Sequence, residues 1–142
     1  AGSALSGSQR RCFTRQITPG GGIMTDFKQL RVGSLARDLV VQAYQATANF
    51  PAQERYGLVS QMRRAAISVG ANIAEGAGRN TDREFARFLR LARGSAHELE
   101  FETQAATDLG FLDEKNAADL RERISQLSRM LNMLVRHLTR ND

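Results

Sequence analysis

The chain has 142 residues, a length that predicts one domain able to bury a core. Its composition, 42% hydrophobic and 25% charged, is ordinary for a globular protein, and no run approaches the roughly 18 consecutive apolar residues of a membrane-spanning helix. Cys12 is the only cysteine, which excludes an internal disulfide and fits a cytoplasmic location, and the net charge of +5 indicates no nucleic-acid partner by itself.

Residues 1–23 are rich in Gly and Ser, contain three arginines and no acidic residue, and show no apolar period. We expect a disordered or non-native tail, followed from Met24 by a domain that spans 24–142. A short targeting peptide is the alternative, although the segment lacks the apolar stretch of a secretory signal.

Two helices are predicted between Met24 and a glycine-rich turn. The first spans about 27–49 and ends before Pro51, because a residue that precedes proline disfavours the helical conformation. The second spans about 53–75, with apolar residues every three or four positions. Gly76 and Gly78 are expected to end it, because glycine tolerates the left-handed conformation of a helix C-terminus.

Two further helices follow. Thr81 and Glu84 have the spacing of a capping box, and the third helix runs from there to a stop at Gly110. Asp113 is the predicted cap of the fourth helix, whose apolar residues alternate by four and three. They are Leu120, Ile124, Leu127, Leu131, Leu134 and Leu138. Short connections make neighbours antiparallel, so the sequence predicts an all-α, antiparallel up-down four-helix bundle.

Arginines collect on the outer faces predicted for the last two helices. In an antiparallel hairpin that turns at Gly110, the basic first half of the third helix lies level with the basic second half of the fourth. We name the predicted cluster the basic pole; it comprises Arg79, Arg83, Arg87, Arg90, Arg129, Arg136 and Arg140. It is either a surface for the phosphate backbone of RNA or DNA, or a solvated face whose charges pair with opposite charges of other subunits.

Three residues predict a buried oligomer interface. Ile67, Gly94 and Phe101 lie opposite the core stripes of their helices. A glycine inside a helix costs about 1 kcal/mol relative to alanine, and an exposed Phe gains nothing from burial in a monomer. We therefore expect self-association, with scattered surface apolar residues as the alternative.

The sequence shows no pattern typical of a catalytic, cofactor or metal site, and no small-molecule substrate is indicated. His97 and His137 are too far apart to share a metal and lack the Glu-x-x-His spacing of a di-iron bundle. Asn72 lies at the border of the second helix's apolar stripe and is expected to set helix register. Glu75 is disfavoured by its own helix dipole, so we expect Arg79, Arg64 or a neighbouring subunit to satisfy it.

Two segments carry a family resemblance. One runs from Gly57 through Asn72-Ile73-Ala74-Glu75-Gly76 to Arg79, and the other from Glu84 through Ala92-Arg93-Gly94-Ser95-Ala96 to Glu100. They resemble the bacterial four-helix bundle family encoded in intervening sequences of 23S ribosomal RNA genes. The resemblance covers about 25–139. It implies an up-down bundle, a ring-shaped homopentamer and distant kinship with retroelement accessory proteins that bind nucleic acid and a reverse transcriptase, but no established activity.

Three functions remain open. The first is a non-enzymatic, oligomeric RNA- or DNA-binding accessory protein that uses the basic pole. The second is a protein-interaction scaffold without nucleic-acid binding. The third is an enzyme, which the absence of a nucleophile with an evident base partner disfavours.

Overall fold

The computed structural model describes residues 23–140, with side chains from Arg31 onward, and every regular element in this part of the chain is helical. The elements are α1 (Ile23–Thr47), a short 3₁₀ helix (Ala52–Glu54), α2 (Leu58–Ala77), α3 (Asp82–Asp108) and α4 (Glu114–Leu138). Apart from Ile23, which begins α1, the predicted tail at 1–23 lies outside the described residues.

The four long helices form a closed bundle. Both α1 and α3 pack against α2 and against α4. Consecutive helices are joined by short turns and run antiparallel, so the topology is up-down-up-down. The predicted fold is confirmed.

The core consists of the apolar stripes that the spacing predicts. All six members of the predicted α4 seam are buried, and so are Phe85, Phe88 and Leu99 of α3. Burial of such side chains stabilises each by about 1.5–3 kcal/mol. The stripes hold the helix axes in place and leave the outer face of each helix free for other contacts.

Local capping bonds fix where α3 and α4 begin and where α3 ends. The Thr81 hydroxyl accepts a hydrogen bond from Glu84 N (3.1 Å), and Asp113 Oδ1 accepts one from Asn116 N (2.8 Å). Gly110 has a φ of 79°, and Phe111 N donates to Ala106 O (2.9 Å). This is a Schellman motif, which places the left-handed residue at glycine as predicted.

The end of α2 lies within the predicted Gly76–Gly78 segment, but the left-handed glycine expected there is absent. The helix continues through Ala77, and Gly78 has a right-handed φ of −83°. Gly76 is buried, and a Cβ there would lie 2.7 Å from Phe88 Cβ and 2.8 Å from Phe85 Cδ2. Glycine is needed at 76 because α2 and α3 approach closely, so its role is packing rather than termination.

Candidate nucleic-acid and subunit interfaces

Two hydrogen bonds set the register of α3 against its neighbours. Arg93 Nη1 donates to Asn132 Oδ1 of α4 (2.7 Å), and the Ser68 and Ser95 hydroxyls lie 2.9 Å apart across α2 and α3. The first half of α3, the last turns of α4 and the end of α2 therefore share one end of the bundle. The register predicted for α3 and α4 is correct to within one helical turn.

Most arginines of the basic pole are exposed and lack an ion pair. Within residues 31–140, this holds for five of them, which lie on α3, in the last turn of α4 or just after it. They are Arg83, Arg87, Arg90, Arg136 and Arg140. Their guanidinium groups keep their donors available for an anion.

Arg79 and Arg87 share one aromatic ring. Each guanidinium carbon lies 4.7 Å from the centroid of the Phe88 ring, so the two charges are held near each other. Arg79 also forms a 2.5 Å ion pair with Glu75, one of the partners expected for that carboxylate. Arg79 is thereby anchored at the rim of the pole, while Arg87 keeps no acidic partner among the described residues.

Arg129 differs from the other members of the predicted cluster. Its guanidinium donates to Ser125 Oγ (3.0 Å) and lies 3.8 Å from Glu122 Oε1. It precedes the end of α4 at Leu138 by nine residues, or about 13 Å of helix rise. The structure thus places Arg129 toward the middle of the bundle, paired, rather than at the pole.

Asn72 and Glu75 have different partners: Glu75 pairs with Arg79, as described above, and Asn72 bonds to Ser68. Asn72 Nδ2 donates to Ser68 O (2.9 Å) and to Ser68 Oγ (3.2 Å), and Ser68 in turn contacts Ser95. Asn72 therefore belongs to a short hydrogen-bonded chain that links α2 to α3.

Gly94 and Phe101 lie on the same outer face of α3, two helical turns apart; we call them the α3 patch. The Phe101 side chain is 75% exposed. A Cβ added at Gly94 would meet nothing within 4 Å, so packing within one copy does not require glycine there.

Ile67 lies apart from the α3 patch, in a groove of about 670 Å³ along α2, next to the end of α1. We call it the Tyr–Arg groove after its main lining residues Tyr44, Arg55, Tyr56, Arg63, Arg64 and Ile67. The Arg63 guanidinium carbon lies 4.3 Å from the Tyr44 ring centroid, and Arg63 Nε donates to Thr47 Oγ1 (3.0 Å). The α2 residues of the groove share a helical spacing, but sequence reasoning missed the groove because its other residues, Tyr44, Arg55 and Tyr56, come from segments that only folding brings to α2.

Glu102 is a second feature that the sequence did not indicate. It is 7% exposed, and its Oε2 has no hydrogen-bond partner among the described residues. Desolvation by burial, then the charge of Glu98 and a side-chain hydrogen bond with Glu98, raise the pKa of Glu102 to about 7. A half-protonated carboxyl at neutral pH is thus buried one residue from the exposed Phe101.

Among the side chains that the structure describes within residues 23–140, no three His, Cys, Asp or Glu are arranged to hold a metal ion. In the same part of the chain, no helix is both long enough and apolar enough to cross a membrane.

The fold defines the class: an up-down four-helix bundle with exposed arginines at one end. Residues 28–133 match the family of 23S rRNA-intervening sequence proteins, and the chain belongs to that family. The same fold occurs in a crystal structure from Bacteroides thetaiotaomicron, described as a protein with unknown function from the S23 ribosomal protein family. The TM-score is 0.66 and the identity 19%, over 73% of this chain and 97% of that one. No curated protein matches the chain.

Proposed function

We propose that the chain is a non-enzymatic, cytoplasmic accessory protein that self-associates and binds the phosphate backbone of RNA or DNA through the basic pole. The observation that carries the proposal is the group of exposed arginines without ion pairs at one end of the bundle, among them Arg83, Arg90 and Arg136. Guanidinium groups bind phosphate oxygens strongly and release counterions from the nucleic acid.

Recognition at the pole is of backbone rather than of base. The aromatic ring that accompanies the arginines, Phe88, is only 9% exposed and supports Arg79 and Arg87 from below. Phosphate contacts fix position on a nucleic acid but carry no sequence information. We therefore expect similar affinity for duplexes of different sequence.

Self-association is part of the proposal, with the homopentamer that the family resemblance implies as the proposed state. Each additional subunit adds one basic pole to the assembly. Several poles on one particle raise the effective concentration of arginines near a bound strand, which strengthens binding without any new contact type.

The test is the affinity for an RNA hairpin, measured by fluorescence anisotropy over a salt series. The double variant Arg90→Glu with Arg136→Glu should bind at least about tenfold more weakly. The slope of its log affinity against log salt concentration should be shallower by the amount that corresponds to about two phosphate contacts. Neither side chain has an ion pair in the described chain, so the fold should be unchanged.

The control is Lys115→Glu with Arg121→Glu, which makes the same charge change near the start of α4, at the opposite end of the bundle. It also breaks the ion pair between Arg121 and Glu114, so its helix content is checked by circular dichroism first. This control should keep most of the affinity. Equal losses in the two double variants would mean that net charge, and not the pole, determines binding. Absence of binding by the unmodified chain at low salt would overturn the proposal.

A second candidate function is a protein-interaction scaffold, which the 75% exposed Phe101 favours. A partner protein that stays bound after nuclease treatment, and is lost on Phe101→Asp, would support it. Partners that all disappear after nuclease treatment would support the nucleic-acid function instead.

A further inference from the structure

The Tyr–Arg groove has room for the exposed Phe101 side chain of the α3 patch. Phe101 projects from α3 with most of its ring exposed, whereas the groove has a volume of about 670 Å³. The groove is open to solvent along much of its length, and its volume exceeds what one phenyl ring needs. Ile67, which is 46% exposed, and Tyr44 offer apolar surface to such a ring.

The two surfaces are complementary in charge. The stretch 98–108 around Phe101 exposes three acidic residues, Glu98, Glu100 and Asp108, and contains no Lys or Arg. The groove is lined by Arg55, Arg63 and Arg64 and by no acidic residue. Opposite potentials attract the two surfaces and disfavour the pairing of either surface with itself.

The two surfaces lie at the same level along the bundle. Ser68 is level with Ser95, and Phe101 lies six residues beyond Ser95 along α3. Six residues back along the antiparallel α2 is Met62, next to the groove residue Arg63. A rotation about an axis parallel to the helices therefore brings the patch of one copy to the groove of the next without a shift along that axis.

Gly94 fits the same arrangement. By the same register it lies level with Val69, between Ile67 and Ala71, which both line the groove. With no side chain at 94, the α3 backbone of one copy can approach the Ile67 side chain of the next. The three residues predicted for one interface thus fall on two facing surfaces.

We infer that copies of the chain dock head to tail, with Phe101 of one copy inserted into the Tyr–Arg groove of the next. The inference rests on the self-association in the proposed function and goes beyond it by naming the two surfaces. Contacts of this kind use two different patches on each copy, and they close into a ring when the rotation closes.

The test uses two variants that each remove one side of the contact. Phe101→Asp places a charge on the α3 patch, and Ile67→Glu places an acid in the groove. Both positions are exposed in a single copy, so helix content by circular dichroism should be unchanged. The controls Met133→Asp and Val41→Glu make matched changes at exposed apolar positions on α4 and α1, outside both surfaces.

Molar mass is measured by light scattering and sedimentation. The unmodified chain and both controls should be oligomeric, and each variant alone should be monomeric. An equimolar mixture of the two variants should form a heterodimer, because the Ile67→Glu copy supplies Phe101 and the Phe101→Asp copy supplies an intact groove.

Three results would overturn the inference. A mixture that stays monomeric would show that Phe101 of one copy does not enter the groove of another. Oligomers of unchanged mass in both variants would place self-association on another surface, and that part of the proposed function would stand. A monomeric unmodified chain at about 100 µM, well above the micromolar range of many weak complexes, would remove self-association itself.

Discussion

The two halves of α3 share one buried apolar stripe, but the residues that they expose to solvent differ in chemistry. The first half exposes Arg83, Arg87 and Arg90, which have no ion pair in the described chain. The second half exposes Phe101 and buries the carboxyl of Glu102. Packing into the bundle is therefore compatible with two different surfaces on one helix.

This difference has a physical reason. The buried stripe leaves part of the helix circumference in solvent along the whole of α3. The exposed residues there contribute little to the stability of a single copy. The outer face of each half is consequently free to suit its own partner. We assign phosphate groups to the first half and a second copy of the chain to the second.

The largest expected effect is a loss of RNA affinity, a property of the first half of α3, caused by a substitution in the second half. Phe101→Asp should weaken the apparent affinity for a long structured RNA about 100-fold, because loss of the oligomer removes multivalent binding. Arg90→Glu with Arg136→Glu should weaken RNA binding and leave the molar mass unchanged. Anisotropy and light scattering on the same samples check both. If Phe101→Asp dissociates the oligomer without changing RNA affinity, the two halves act independently.

The next effect concerns Glu102. Its raised folded-state pKa of about 7 favours the protonated form, so its stabilising contribution is present below about pH 4.5 and is lost as the pH rises through about 7. The free energy of unfolding should fall by up to about 3 kcal/mol between pH 5 and 8, and Glu102→Gln should remove that fall. Urea unfolding across this range measures it, with the exposed Glu100→Gln as the control. An identical pH slope in Glu102→Gln would contradict the assignment.

A pair of glycine variants gives a smaller effect of opposite sign. Gly94→Ala should stabilise the monomeric Phe101→Asp background by about 1 kcal/mol, because an added methyl meets nothing and alanine favours helix. In the unmodified background it should weaken the oligomer. Gly76→Ala should destabilise either background by about 1–3 kcal/mol, because its methyl collides with Phe85 and Phe88. Thermal unfolding checks the signs, and destabilisation by Gly94→Ala would show that the monomer needs this glycine.

The smallest effect tests the rim of the basic pole. Glu75→Gln removes the exposed ion pair to Arg79 and should change stability by less than about 1 kcal/mol. It should also strengthen RNA binding a few-fold, since Arg79 gains a free charge beside Arg87. Unchanged RNA affinity would place Arg79 outside the binding surface. Glu114→Gln, which removes the ion pair to Arg121 near the start of α4 at the opposite end of the bundle, is the control.

The sequence by itself determined the helices and their antiparallel order. Apolar residues at three- and four-residue spacing identified the buried stripes, and Thr81, Asp113 and Gly110 marked helix ends through bonds between residues close in sequence. Such signals are local, since one turn of helix contains all of their parts. The arginines of the pole followed from the same periodicity combined with a single hairpin register.

Only the tertiary structure decided the features that depend on contacts between segments. Gly76 serves close packing rather than helix termination, Arg129 pairs with Glu122 away from the pole, and Tyr44 meets Arg63 in a groove. Burial of Glu102 likewise depends on how closely its neighbours exclude water. Spacing along one helix predicts which face turns inward, but the distance to a neighbouring helix decides what that face encloses.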